Sequence, residues 1–304
     1  MAKTGANKKP TVIIIGPGRL GMALALALNR SHYKIGALVG RRKGAALKVS
    51  NLLDAQVQTL AIKEIKNLKV PELIIVSTPD DEIPKVAKLL SKLRPERNPT
   101  VVLHTSGALS SGVLSALAKP KWSIGSIHPL VSVSDPVEGA KLLQGAFWCL
   151  EGDSRAKRMS DRIVRDLKGQ SFFVSADSKP LYHAAAVMSA GNVVALFDVA
   201  VEMLRRCGVS ENQARRVLLP LLSSTATNLA RQKPVKALTG TFARGDIATM
   251  KLHLKALTKE NLPEALALYR LLGRRSLKLA KQNGLADDVV EKMRAEVSDG
   301  PVEK

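Results

Sequence analysis

"TVIIIGPGRLGMALALALNR", residues 11–30, decides the fold. Val12–Ile15 are apolar on consecutive positions, which suits a strand covered on both faces, as in a parallel sheet. A loop, Gly16-Pro17-Gly18-Arg19-Leu20-Gly21, follows with its glycines at G-x-G-x-x-G spacing, and a helix of small and apolar residues opens on it. Gly16 permits the tight turn, Gly18 lets the backbone approach a pyrophosphate, and Gly21 lets helix and strand pack closely. The helix N-terminus offers free N–H groups and the positive end of its dipole to phosphates. A lone G-x-G-x-x-G is weak evidence. Flanked by a strand, a helix and a second strand, it reads as a dinucleotide cradle, and the six loop residues are candidate cofactor ligands. Lys8 and Lys9 before an apolar run ending Ala25-Leu26-Ala27 imitate a secretory leader, but residues 16–19 interrupt the run that such a leader needs.

The second strand, Lys34–Val39, ends in Gly40-Arg41-Arg42-Lys43. An enzyme for the unphosphorylated dinucleotide places an acid here, ~20 residues past the glycines, to grip the ribose hydroxyls. Arg41 and Arg42 stand there instead, and guanidinium groups pair bidentately with a 2′-phosphate, which a carboxylate would repel. The cofactor expected from this is NADP(H).

Further candidate strands are Leu73–Ser77, Val101–His104, Ser123–Ile127, Phe147–Leu150 and Phe172–Ser175, with a weaker one near Val57. Helical patterns at Gly21–Asn29, Ile83–Leu93 and Ser110–Ala118 alternate with the early ones, the βαβ rhythm of a doubly wound domain. After Asp177 the texture becomes helical: one long pattern over 178–207, with Pro180 in its first turn, then about 210–231, 246–257, 262–283 and 286–296. The expectation is a disordered basic tail over 1–10, a Rossmann-like, mostly parallel α/β domain over 11–176, and an all-α domain over 177–304 that serves substrate binding and dimerisation.

The chain has 304 residues, enough for two domains, with 45% apolar and only 3% aromatic residues. No tract is expected to cross a membrane. Cys149 and Cys207 fit no metal spacing and read as buried thiols in a reducing cytoplasm. No metal site is expected. The net charge is +21, and residues 1–50 hold no Asp or Glu, so the glycine loop lies in the most one-sidedly positive part of the chain. That draws phosphate-rich ligands. The scarcity of aromatics and the lack of a nucleic-acid motif argue against nucleic acid as the partner.

Hydride chemistry on a nicotinamide needs groups that orient the substrate and move a proton, and these belong at the C-terminal ends of the strands. Three such ends stand out. In "STPDDEIP", 77–84, Ser77, Thr78 and Pro79 can pass beside the cofactor ribose, while the three acids read as first-turn and capping groups of the next helix. In "HTSGALSSG", 104–112, the hydroxyl of Ser106 and the backbone at Gly107 can hold a substrate carboxylate or carbonyl, or Ser106 can be structural. In "GSIHPLVSVSD", 125–135, His128 ends a strand, is stiffened by Pro129, and suits acid–base work or a structural hydrogen bond. In the helical half, Lys179, Tyr182, His183 and Ala186 share one face, lining either a cleft or a helix interface. Arg244 can meet an acidic substrate and Asp246 can cap the helix that follows it.

The set "GPGRLG", "LHTSGALSS", "IHPLVS", "KPLYHAAAVMSAGN" and "LTGTFARGDIATMKLHL" resembles a family of NADP-dependent oxidoreductases that join a Rossmann domain to a helical C-terminal domain of unassigned function. The resemblance runs from Val12 to about Leu257. The family usually has proline after the glycine of Leu-Thr-Gly, where this chain has Thr241. In the wider superfamily, hydroxyacid and 6-phosphogluconate dehydrogenases and ketopantoate reductases carry a catalytic lysine on this helix and an asparagine one turn later. Lys179 matches the lysine, and His183 stands in the asparagine's place. His128-Pro129 is similar to the His-Pro pair of prephenate dehydrogenases, without the glycine-rich turn that follows it there. The resemblance implies an NADPH-dependent reductase of a small, anionic oxo or imino compound, ketopantoate-like or else pyrroline-carboxylate-like. It implies Lys179 and His128, with His183, as catalytic groups and a homodimer formed by the helical domain; the residue reading adds Ser106, Gly107, Arg244 and Asp246 as candidate substrate ligands. The competing expectation is a non-catalytic protein that senses NADP or binds nucleic acid through its positive charge.

Overall fold

The computed structural model describes residues 9–41, 51–53, 57–95 and 98–298. Nearly all of the expected tail therefore lies outside the described residues, as does Arg42. The chain divides into two compact units, Met1–Ala190 and Gly191–Lys304. The boundary falls one helix later than the sequence suggests, because the helix that starts at Lys179 packs with the sheet.

In the first unit, eight strands form one sheet in the order β3-β2-β1-β4-β5-β6-β7-β8. They are β1 (Thr11–Ile15), β2 (Lys34–Gly40), β3 (Gln58–Ala61), β4 (Leu73–Val76), β5 (Thr100–His104), β6 (Trp122–Pro129), β7 (Phe147–Gly152) and β8 (Gln170–Phe173). The first six run parallel, and β7 meets β6 antiparallel. β8 sits two residues earlier than expected. The pleat divides each apolar run between two cores. Val12, Ile14, Leu73 and Ile75 face one side with α1 (Arg19–Arg30), while Ile13, Ile15, Ile74 and Val76 face the other with α2 (Ile83–Leu90). This explains consecutive rather than alternating apolar residues, since both faces are covered. On the α1 side, α3 (Pro136–Leu142) and α4 (Ser154–Asp166) complete the layer. The segment expected as a helix over 110–118 is a 3-10 helix, Ser111–Leu117, that buries Leu114 and Leu117. Strand order reverses between β1 and β4, so the chain ends after both strands border one crevice, where open α/β sheets bind ligands.

α5 (Lys179–Ser189) closes the first unit. The second unit is helical: α6 (Gly191–Arg206), α7 (Glu211–Arg231), two short turns α8 (Pro234–Ala237) and α9 (Thr241–Arg244), α10 (Ile247–Lys259), α11 (Pro263–Gln282) and α12 (Asp287–Ser298). Its core gathers Met250, Leu254, Leu277, Val290, Met293 and Val297. Thr241 opens α9 after Gly240, which takes φ +83°. The family's proline falls on the first helical residue, where proline's fixed φ and missing N–H cost nothing, and threonine starts the turn as well.

Two expectations need correction. Residues 176–206 include a window of mean hydropathy 1.8, long and apolar enough to cross a membrane by length and composition. The charge-free stretch from 181 to 197 supplies it, with Leu181, Val187, Met188, Val193, Val194, Leu196 and Phe197 set among smaller residues. Its first part, α5, is docked on the sheet by the polar contacts described below. The second correction is Cys207, which is exposed; Cys149 is buried, and both are free thiols.

Candidate functional site

The loop after β1 is built by close approach. Gly16 takes φ +91°, and a Cβ there would lie 2.5 Å from the Ser77 carbonyl oxygen. A Cβ on Gly21 would collide with the Gly16 carbonyl oxygen, so glycine lets α1 start against the loop. Gly18 differs: a Cβ there would meet nothing within 4 Å. It is the N-cap of α1, with no side chain capping the helix and no acid in the first turn. Open N–H groups and a glycine facing free space make an anion cradle. Pro17, Arg19 and Leu20 complete this loop, Arg19 opening α1. Across the crevice stand Ser77, Thr78 and Pro79. The Ser77 hydroxyl takes a hydrogen bond from Thr105, and Thr78 Oγ1 is buried without a partner. A buried hydroxyl with no partner is a group that a ligand would satisfy. Arg41, at the end of β2, is exposed.

Two strands along, the ends of β5 and β6 carry a polar cluster. Lys179 is fully buried at the first residue of α5; its Nζ donates to Ser126 Oγ on β6 and to the Ser106 carbonyl oxygen after β5. Burial pulls its pKa down, opposed by Cys149, Glu151 and Asp80. Lys179 thus fastens α5 to two strand ends and reaches no open surface. Ser126 also donates to the Ser106 carbonyl. Ser106 is itself committed: its hydroxyl donates to Asp80 at 2.9 Å and accepts from the Leu109 N–H at 3.0 Å. Asp80, Asp81 and Glu82 are first-turn acids of a short 3-10 helix, as their sequence position suggests, but the Asp80 carboxylate makes no capping bond and holds the loop after β5 instead. His104 is fully buried. It accepts at Nδ1 from the Ser106 N–H and contacts the Ser110 carbonyl through Nε2, the pattern of a neutral ring protonated at Nε2. Burial, with Lys179 nearby, pushes its pKa down to about 3.

Tyr182 and His183 follow Lys179 by one turn of α5 and reach His128. Tyr182 Oη is 2.6 Å from His128 Nδ1, and the His183 ring stands edge-on to His128 with centroids 5.4 Å apart. Phe172 braces Tyr182 edge-on at 5.7 Å. Gly107 admits both imidazoles. A Cβ there would collide with His183 Nδ1 and lie 2.9 Å from His128 Nε2. His183 Nδ1 is buried and has no partner. Burial, then His183 and Lys179, push the His128 pKa down to about 4, so the ring is neutral at pH 7. Burial and the neighbouring Cys149 thiol push the Tyr182 hydroxyl up, keeping it protonated. The cluster therefore sets one neutral imidazole beside a protonated phenol at a strand end, an arrangement able to hand on a proton.

Sequence reasoning joined Lys179, Tyr182 and His183 on one face and put His128 at a strand end, and all four meet. It missed Ser126, His104 and Cys149, which strand register brings in: His104 lies opposite Ser126 and His128 opposite Cys149. Arg244 and Asp246 belong to the second unit. Arg244 is exposed. Asp246 accepts from the N–H and the hydroxyl of Thr249 as the cap of α10, so both carboxylate oxygens are engaged. Among the described residues no group of His, Cys, Asp and Glu is arranged to hold a metal ion.

The family models divide the chain earlier than its compact units do, between residues 129 and 146 rather than at 190. A Rossmann-like domain model matches residues 4–129, and the model described as Domain of unknown function (DUF2520) matches residues 146–276. No curated protein matches the chain. Among solved structures, protein TM1727 from Thermotoga maritima is 24% identical, with a TM-score of 0.69, covering 90% of this chain and 99% of that one. BF3122 from Bacteroides fragilis, provisionally described as an NADP oxidoreductase, is 21% identical, with a TM-score of 0.70 over 88% and 98% of the two chains. The imine reductase from Pseudomonas sp. is 21% identical, with a TM-score of 0.59 over 94% and 99%. At these identities the likeness establishes the fold. The glycine-rich cradle at the switch point and the polar cluster two strands away thus belong to a chain that matches a Rossmann-like domain model over its first part and the DUF2520 model over its second.

Proposed function

We propose that this chain is an NADPH-dependent reductase of a small oxo or imino compound. One observation carries the reading: the open cradle at the ends of β1 and β4 and the polar cluster at the ends of β5 and β6 lie along one edge of one sheet. The cradle fits a pyrophosphate at Gly18 and the first turn of α1, and Thr78 offers a buried hydroxyl beside it. Arg41, with Arg42, would hold a 2′-phosphate. When bound, NADPH supplies the hydride. The protein's part is the proton. Lys179 is sealed and acts as the anchor of α5, so His128 is the acid–base group that delivers the proton to the substrate heteroatom. Ser106 shapes the site through its carbonyl and its bond to Asp80 rather than by gripping substrate.

The substrate carries a C=O or C=N bond. A ketopantoate-type 2-oxo acid is the first candidate from the sequence resemblance, although Lys179, which carries it, serves here as an anchor. A pyrroline-carboxylate-type cyclic imine is supported by the likeness to an imine reductase and to a pyrroline-5-carboxylate reductase from Coxiella burnetii. The exposed apolar side chains of α6 and α7, among them Val194, Val217 and Leu221, support a homodimer through the helical unit. Two free cysteines suit a reducing cytoplasm.

The test is NADPH oxidation followed against a panel of 2-oxo acids and cyclic imines. Turnover of one class is expected. Tight NADPH binding with no turnover across the panel overturns the reductase reading in favour of a cofactor sensor. Arg41→Ala with Arg42→Ala is expected to weaken NADPH far more than NADH, and equal losses overturn the phosphate assignment.

A further inference from the structure

We propose that Tyr182 is the positioning residue of the acid–base group: its hydroxyl donates to His128 Nδ1 and holds the ring in the tautomer that carries its proton on Nε2. The inference deepens the reductase reading and rests on it for its catalytic consequence, but its structural half stands apart from turnover.

The argument starts from what fixes Tyr182. Lys179 ties the first turn of α5 to Ser126 and to the Ser106 carbonyl. Tyr182 lies three residues on, so it projects from the same face. Phe172 braces its ring from the side, and the hydroxyl arrives 2.6 Å from His128 Nδ1. His128 has little freedom of its own. Pro129 follows it in β6, Cys149 lies opposite it on β7, and the His183 ring stands edge-on against it. Gly107 is what lets both imidazoles lie against the backbone.

A neutral imidazole donates from one nitrogen and accepts at the other, and the partner of one sets the state of the other. The groups that face His128 are His183, Lys179, His104, Cys149 and Tyr182. Of these, Tyr182 is the hydroxyl at Nδ1. Its phenol also hydrogen-bonds Cys149, which burial keeps a thiol, so the S–H is free to donate to the phenol oxygen and leave the phenol proton for Nδ1. With Nδ1 accepting, the transferable proton is on Nε2. As hydride reaches the carbonyl or imine carbon, the heteroatom takes the Nε2 proton. Nδ1 takes the phenol proton in return; afterwards solvent reprotonates Nε2 and Nδ1 gives its proton back to the Tyr182 oxygen, which restores the starting tautomer. One proton leaves solvent for each hydride transferred, and no further reactant is needed.

Nitrogen-15 NMR of the full-length protein labelled at histidine reads the tautomer with no substrate. An acceptor-type shift at Nδ1 and a protonated Nε2 are expected for His128. A protonated Nδ1 overturns the proposal whether or not the protein turns anything over. Tyr182→Phe, which keeps the ring against Phe172, is expected to mix the two tautomers. With a substrate found in the NADPH panel, it should lower kcat by roughly 10²-fold, near the low end of what a positioned acid–base group contributes, and leave KM within about 2-fold. The acid limb of its pH profile should move toward the ordinary imidazole value. An unchanged tautomer and pH profile, or a loss confined to KM or to thermal stability, makes Tyr182 a packing residue and overturns the proposal. If wild type turns over nothing, the reductase reading fails alone, and the NMR result still decides the tautomer.

Discussion

The two compact units bury their side chains in different ways. The first closes its core on both faces of a sheet, and its largest fully buried side chains include Trp148, Tyr33 and Lys179. The second has a small core around Met250, Leu277 and Met293, yet it leaves Val194 at 70%, Leu252 at 67% and Leu221 at 65% exposure. A sheet covered on both sides satisfies its central strands within one chain, and the first unit's exposed apolar residues lie in places such as α5, with Leu181 and Met188, and the last two strands, with Phe147 and Phe173. A helix can present two apolar faces, and one chain need cover only one of them. The first unit is therefore where a substitution strikes folding and chemistry together. The second is where a substitution can alter association and spare the fold.

That contrast predicts its largest effect at the glycine loop. Gly21→Val drives a branched side chain into the Gly16 carbonyl, which is backbone and cannot swing aside. A cost of about 3 kcal/mol or more is expected in urea unfolding, the size reserved for overpacking at a rigid contact. Gly18→Ala, which meets open space, should cost under about 1 kcal/mol. Equal losses at the two positions would mean that the loop is not built as described.

The next effect is on stability against acid. His104 and His128 have folded pKa values near 3 and 4, against about 6.5 for a free imidazole. Between these limits the unfolded chain binds protons that the folded chain refuses. Their contribution is complete above about pH 6.5, is lost as pH falls, and levels off below the folded values. A loss on the order of 2 kcal/mol between pH 7 and 5 is expected from His104 alone. His104→Asn should flatten that slope, even where it lowers stability at pH 7. An unchanged slope would show that carboxylates, not the buried imidazoles, govern acid lability.

How much of this was legible follows from which signals are local. The run Val12–Ile15 and the three glycines announce the first βαβ turn without help from the rest of the chain. α4 went unread because its buried stripe is Ala156, Ser160, Ile163 and Val164 on an otherwise charged helix, so hydrophobic periodicity is faint. The 3-10 helix at Ser111–Leu117 was read as an α-helix because seven residues spaced three and four apart satisfy both. Phe147–Leu150 reads as a strand, but nothing local says that it runs antiparallel to β6. In the candidate site, helical spacing put Lys179, Tyr182 and His183 on one face. The fate of Lys179 depends on Ser126 and Ser106, which only the register of β5 and β6 brings to it. The sequence places this lysine on a helix face, but its burial and its bonds to Ser106 and Ser126 are a property of three elements at once, which no local pattern carries.

The smallest expected effect on folding, and the one that tests the second unit, comes from its exposed face. Val217 and Leu221 are four residues apart on α7, so they lie on one side of the helix, at 58% and 65% exposure. Val217→Glu with Leu221→Glu removes no buried contact within the chain. Surface changes of this kind usually alter stability by less than about 0.5 kcal/mol. The variant should keep its helical circular dichroism and sediment as a monomer where wild type sediments as a dimer. Two outcomes would count against this. If wild type is itself monomeric, the exposed apolar residues are a surface that needs no second copy. If the variant unfolds outright, the second unit has no stable fold without its partner, and the two units differ more than the monomer suggests: the first completes its core alone, while the second completes it only between copies.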